Sequence, residues 1–354
     1  MENKFSIVLP TYNRLEQLTL TLASFENQNF DKQKFEIIVV DDCSSDGTQE
    51  FLANYSPPFQ FRYFSSGERR GGQGNARNLG ATQAKGEYII FCDSDFLVVP
   101  EFLNIFNKLF LQYPNHVISG TPYCFTRVFT QYYPNFSDGE KKKLRSFLSK
   151  TKIRNKSLLE SKQIIQIITP EVLKADFSKL NHVILGEDNL GDKLRKEFLN
   201  TDVAPWLLFI TRCVALSRKT FFESGGFDER IIRGEDWELG YRLYRKGVHF
   251  TSVGETVGFH QEHPSSFRNE FGNAQPFNKI IFEKYGLETL ELSLLSIWDS
   301  SDELWKNIIP FKKLLRISKH TNEFETDKTK TLLKDFLLKS CEKATQRWNW
   351  GKRD

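Results

Sequence analysis

Three short, largely apolar runs, Phe5–Leu9, Phe35–Val40 and Tyr88–Cys92, are separated by segments whose apolar residues recur at helical spacing. A run of five or six such residues, rich in β-branched and aromatic side chains, reads as a strand buried on both faces. Both faces are covered only when helices cross between successive strands, so this order predicts an α/β fold with a largely parallel sheet. Leu15–Phe25, Thr48–Asn54 and Asn75–Ala84 supply helices, Phe59–Phe64 a further strand, and Pro100–Phe110 another helix. Gly71-Gly72-Gln73-Gly74 makes the turn before the third helix, and Gly86 ends it.

Open α/β sheets bind ligands beyond the carboxyl ends of their strands. Polar residues gather at those ends here. Asp93-Ser94-Asp95 follows Cys92, so one carboxylate can meet a ribose hydroxyl while the other meets a divalent cation bridging two phosphates. The same pair can equally cap a turn into the helix that starts near Pro100. Asp42 ends the second strand, where a carboxylate can accept the imide proton of uracil or thymine; Asp46 reads as a turn and cap residue. Arg77, one turn into its helix, reaches a diphosphate or base, or else lies on a solvated face. Pro10, Thr11, Tyr12 and Arg14 either border a base or simply end the first strand.

From about residue 123 to 202 the alternation fades and a Lys/Arg-rich stretch appears, which reads as a mostly helical insertion. Leu207–Leu216 resumes a strand, Gly225-Gly226-Phe227-Asp228 a turn, Trp237–Tyr244 a helix, and Phe250–Phe259 a strand with His260 just past its end. Glu235 and Asp236 open that helix. A carboxylate there can deprotonate an attacking hydroxyl, although the helix dipole favours acids at this position for stability alone. A neutral His260 can complete a metal shell begun by Asp95, with His263 the weaker of the two candidates. Without a closed Cys/His set, zinc is disfavoured. Past Pro276 the chain reads as helices, with Leu333, Leu337, Cys341, Ala344 and Trp348 on one stripe that either packs against the main domain or meets a membrane or partner. Residues 1–275 thus form one domain and residues 276–354 a helical region.

A formal net charge of +4, from 49 basic and 45 acidic residues, is too balanced for a nucleic-acid binder. Five cysteines without CxxC spacing fit a reducing cytoplasm. The polar start Met1–Lys4 leads straight into a strand, and no apolar run approaches the ~20 residues of a membrane span. The expectation is a cytoplasmic chain, with room for peripheral contact at the inner membrane face and for a homo-oligomer.

Taken in order, Ile7-Val8-Leu9-Pro10-Thr11-Tyr12-Asn13, Val39–Thr48, Gly74-Asn75-Ala76-Arg77-Asn78-Leu79-Gly80 and Asp93-Ser94-Asp95 resemble family 2 glycosyltransferases of the GT-A fold. The match covers about residues 4–120. Gly225–Asp228 and Gly234-Glu235-Asp236-Trp237-Glu238-Leu239 extend it to about 260, and are similar to the acceptor-side motif of galactosyl- and N-acetylgalactosaminyltransferases, including chondroitin-polymerase-type enzymes. The resemblance implies a Rossmann-like nucleotide-binding half with a mixed, mostly parallel sheet. It also implies inverting transfer of a hexose or N-acetylhexosamine from a UDP-sugar to a hydroxyl of a glycan, lipid-linked or surface-polymer acceptor, in polysaccharide biosynthesis. Carried over, Asp42 binds the nucleobase, and Asp93, with Ser94 beside it, meets the ribose and the metal's water shell. Asp95 and His260 ligate Mn2+ (or Mg2+), and Asp236, next to Glu235, is the general base. The insertion and the tail match no part of the family, so the acceptor stays open.

A non-catalytic nucleotide-sugar- or glycan-binding subunit is the rival reading, and the intact acids argue against it. A nucleotidyltransferase would need a Gly-rich basic loop where Pro10–Arg14 stands, and a dinucleotide oxidoreductase a GxGxxG after the first strand.

Overall fold

The computed structural model describes residues 3–150, 156–185, 191–231 and 234–264, the single residues Ile280, Lys284, Tyr285 and Glu291, and the helix Ile308–His320. The stripe from Leu333 to Trp348 lies outside the described residues.

Strands β1 (Phe5–Thr11), β2 (Phe35–Asp41), β3 (Gln60–Ser65) and β4 (Tyr88–Cys92) are parallel and stand in the order β4-β1-β2-β3. Each residue of β1 and β2 is buried, as the continuous apolar runs require. Alternate residues enter different layers: Val8, Ile38 and Phe91 pack on one side, Ile7, Leu9, Val39 and Ile90 on the other. Full burial of each such side chain contributes about 1.5–3 kcal/mol. Helix α1 (Leu15–Glu26) covers the second layer, α2 (Thr48–Asn54) follows β2, and α3 (Gln73–Gln83) covers the first. Gly80 permits this last packing, because a Cβ there would stand 2.4 Å from Val8 Cγ1.

After β4 the chain crosses at once to β5 (Phe96–Val98), then runs through α4 (Phe102–Gln112) to β6 (Val117–Ser119). The segment expected to be mostly helical is mixed. It holds the short strands β7 (Arg127–Val128), β8 (Gln131–Tyr132) and β9 (Ile165–Gln166) among the helices α5 (Asp138–Lys150), α6 (Pro170–Ala175) and α7 (Asp192–Leu199). β8 and β9 pair with each other, and β7 is needed beside a later strand. Two further expectations are corrected. Of the run Leu207–Leu216 only residues 213–216 join a strand, β10 (Cys213–Ser217). Pro205–Leu208 turns as a 3-10 helix instead, burying Trp206 and Leu207. Past the helices α8 (Arg218–Ser224) and α9 (Glu235–Arg245), the run Phe250–Phe259 divides at Gly254 into β11 (Phe250–Ser252) and β12 (Gly258–Gln261).

β10 is antiparallel to both β4 and β6, and β11 is parallel to β6, which completes a seven-stranded mixed sheet. β12 belongs to a second, three-stranded sheet in the order β5-β12-β7. His260 therefore sits within a strand, opposite Phe96.

The helix Ile308–His320 docks on α7. Lys312, 2% exposed, donates to the carbonyls of Glu197 and Asn200 at the end of α7, while Arg316 pairs with Glu197 and Asp202. Among the described residues no helix is long and apolar enough to cross a membrane.

Candidate active site

Asp93-Ser94-Asp95 links the two sheets, running from β4 directly into β5, so it caps no helix. The Asp95 carbonyl accepts the Gln261 N–H at 2.8 Å, and its Oδ2 lies 3.6 Å from His260 Nε2 and 3.4 Å from His263 Nε2. Oδ1 of Asp95 is buried without a hydrogen-bond partner. Gln261 holds β12 in place by donating to the Gln17 carbonyl and Thr21 Oγ1 and accepting from Thr130 Oγ1. One carboxylate oxygen and two imidazole nitrogens fall within 4.8 Å of one another. This donor set suits a divalent transition metal, and the orphaned Asp95 oxygen is what such an ion would satisfy. The sequence ranked His263 below His260; three residues past His260, it turns back on the same carboxylate.

Burial alone would raise the Asp95 carboxyl, but the two imidazoles beside it outweigh that and hold it well below the usual carboxylate range. Burial, and next the Arg212 charge, keep His260 below its ordinary value against the pull of Asp95. An ionised carboxylate and a neutral imidazole are the forms a metal needs.

Arg77 is 1% exposed, so it does not lie on a solvated face. Its Nη1 donates to Glu235 at 2.5 Å and its Nη2 to Asp93 at 2.9 Å and Gln73 at 3.2 Å. The guanidinium thus ties β4 to the start of α9. Gly234, at φ 85°, lets the chain enter α9 with Glu235 and Asp236 in its first turn. Asp236 accepts from the Trp237 N–H at 2.8 Å and the Thr211 N–H at 3.4 Å. Three carboxylates share one arginine, and burial is the largest influence on two of them. Glu235 is pushed up to about 7 and Asp236 is also raised, in each case against the Arg77 charge.

At the other end, the turns after β1 and β2 brace each other: Asn13 Oδ1 accepts from the Ser45 N–H, and Asp46 accepts from the Leu15 and Thr48 N–H groups. Asp46 is thus the turn residue expected. The Asp42 carboxylate accepts from Ser66 Oγ at 2.6 Å, Gly71 N–H at 2.8 Å and Gly72 N–H at 3.0 Å. It therefore anchors the glycine-rich loop. Arg70 of that loop stacks on Tyr12, 3.5 Å from the ring centroid, with its Nε 3.7 Å from Asp42. Pro10 and Thr11 are the buried last residues of β1, and Arg14 donates to the Asn13 carbonyl at the start of α1. Ser94 is buried and its carbonyl accepts from Thr21. A separate cavity of about 540 Å³, lined by Leu15, Glu26, Glu50, Phe51, Tyr55 and Lys174, contains none of the candidate site residues.

Residues 6–164 match the family profile described as Glycosyl transferase family 2. Over 272 residues the chain is 32% identical to the uncharacterized glycosyltransferase YfnE of Bacillus subtilis, covering 75% of this chain and 67% of that protein. The chain belongs to glycosyltransferase family 2. This family 2 enzyme is also 32% identical over 271 residues to the chondroitin synthase of Escherichia coli, 73% of this chain but only 35% of that protein's length. In three dimensions it is similar to Staphylococcus aureus TarS 1-349 in complex with UDP-GlcNAc, with a TM-score of 0.51 at 17% identity over 87% of this chain and 70% of that one. That likeness supports the GT-A fold, with its mixed, mostly parallel sheet.

Proposed function

We propose that the chain is an inverting, divalent-metal-dependent transferase that moves a hexose or N-acetylhexosamine from a UDP-sugar to a hydroxyl of a glycan, lipid-linked or surface-polymer acceptor. One observation carries the reading. Asp95, His260 and His263 converge at the carboxyl edge of β4, with a buried, unpartnered carboxylate oxygen among them, while Asp236 stands at the start of α9 beyond Arg77. The relatives that are similar to it include a chondroitin synthase and a validoxylamine A glucosyltransferase.

In this reading Asp95, His260 and His263 hold Mn2+ or Mg2+, which when bound neutralises the charge of the departing diphosphate. Tyr12, Thr11 and Asp42 border the nucleobase with Pro10 and Arg14 behind them, and Asp93 and Ser94 adjoin the ribose. Arg77 fixes Asp93 against Glu235 rather than touching the donor. Asp236 accepts the proton of the acceptor hydroxyl as that oxygen bonds to the anomeric carbon; the carbon–phosphate oxygen bond breaks, and UDP leaves with the electron pair. A single displacement inverts the anomeric centre. Residues 1–275 form the transferase domain and 276–354 an appended helical region, with the chain acting in the cytoplasm or at the inner membrane face.

The test is Mn2+-dependent release of UDP from a panel of UDP-sugars, paired with calorimetric UDP binding. Asp95→Ala abolishes the metal-dependent turnover, and Asp236→Asn lowers transfer by about 10²–10⁴-fold while retaining UDP affinity. Full activity in both variants overturns the reading.

A further inference from the structure

Arg212 lies immediately before β10, and its carbonyl accepts the Asp93 N–H at 3.4 Å. Its charge acts on His260 and on Cys124, and its guanidinium carbon stands 5.3 Å from the centroid of Phe125. With Cys213 paired to Cys92, Arg212 stands opposite Asp93 at the carboxyl end of β4, two residues from Asp95. Its Nε is buried without a hydrogen-bond partner, and it forms no ion pair with a carboxylate among the described residues. The contrast within the site is sharp: Arg77 is met by two carboxylates, and Arg70 lies beside Asp42.

An arginine taken partly out of water without a carboxylate is costly, and the Phe125 ring offsets only a fraction of that. A guanidinium presents a planar fork of donors that matches phosphate oxygens. Asp95 supplies the single carboxylate of the triad, and Glu262, 4.0 Å from His260 Nδ1, is already paired with Arg127, so a divalent cation there would leave this corner with surplus positive charge beside Arg212. The partner absent among the described residues is an anion.

We propose that Arg212 is the residue that receives the terminal phosphate of the nucleoside diphosphate, and so distinguishes diphosphates from monophosphates. This rests on the donor reading given above. Held from the β10 side, the phosphate has donors that do not come through the metal, and the leaving group is gripped on the side away from Asp42.

Titration calorimetry of the full chain with UDP, UMP and uridine, in EDTA and in Mn2+, tests it. Arg212→Gln is expected to weaken UDP about tenfold or more in both conditions and leave UMP within about twofold. Arg212→Lys, which keeps the charge and stem but not the fork, falls between and serves alone if the Gln variant does not fold. Two outcomes overturn the inference: UDP affinity unchanged, or UDP and UMP weakened equally. A wild-type chain that binds none of the nucleotides overturns the donor reading and this assignment together.

Discussion

Arg77 Nη1 lies 2.5 Å from Glu235 Oε1, joining a helix of the first third of the chain to one that begins 158 residues later. Both side chains are buried, and Asp93 shares the same guanidinium. Arg77→Met leaves these acids facing one another without a cation. Chemical denaturation is expected to show a loss of about 3–5 kcal/mol, with UDP binding falling in parallel. A variant as stable as the parent would show that the cluster does not hold the two halves together.

Glu235 also sets a pH dependence. Its carboxyl lies at about 7 in the folded chain against 4.5 in the reference state, so between these values the folded state holds the extra proton. Stability from this group is fully present below pH 4.5 and is lost as pH rises to about 7. Glu235→Gln should flatten that part of the stability curve, read as the difference in melting temperature between pH 5 and pH 7.5 for variant and parent. Equal slopes would place the proton elsewhere.

Asp236→Asn removes the proton acceptor while keeping a side chain that fits the same turn. Turnover should fall about 10²–10⁴-fold with donor affinity unchanged. A matching fall in affinity would make Asp236 a donor-binding residue instead.

His260→Ala and His263→Ala should each weaken Mn2+ binding, measured by the loss of free-ion paramagnetic signal on titration. The effect should be larger for His260, which is anchored inside β12. If only His260 matters, His263 is a bystander to the carboxylate.

Arg70 occupies one face of Tyr12. If that face receives the nucleobase, Arg70→Ala should tighten uridine binding several-fold, since the stack to be displaced is worth about 0.5–2 kcal/mol. Weaker binding would mean that the guanidinium closes over the base.

The parallel half of the fold was legible because β1, β2 and β4 are buried on both faces, and continuous apolar runs leave few other choices. The acids at their ends were legible for the same reason. Burial of Arg77 was not, since helical spacing alone does not say which side of α3 meets α9. Nor was the break between β11 and β12: both pieces are apolar, and only pairing with different sheets separates them. That break is what carries His260 and His263 to Asp95. Arg212 was not legible because its character lies in having no carboxylate beside it among the described residues, which no spacing records.

β10 lies between β4 and β6 as an internal strand of the large sheet, paired with β4 from Cys213↔Cys92 to Ser217↔Tyr88. The chain that carries Asp236 is thereby laced to the strand that delivers Asp93. Opening the two walls of the site like a clamshell would mean unzipping that ladder. Any widening of the site that leaves the ladder intact would fall to the connecting loops, the one bearing Arg70 among them, rather than to a hinge between lobes.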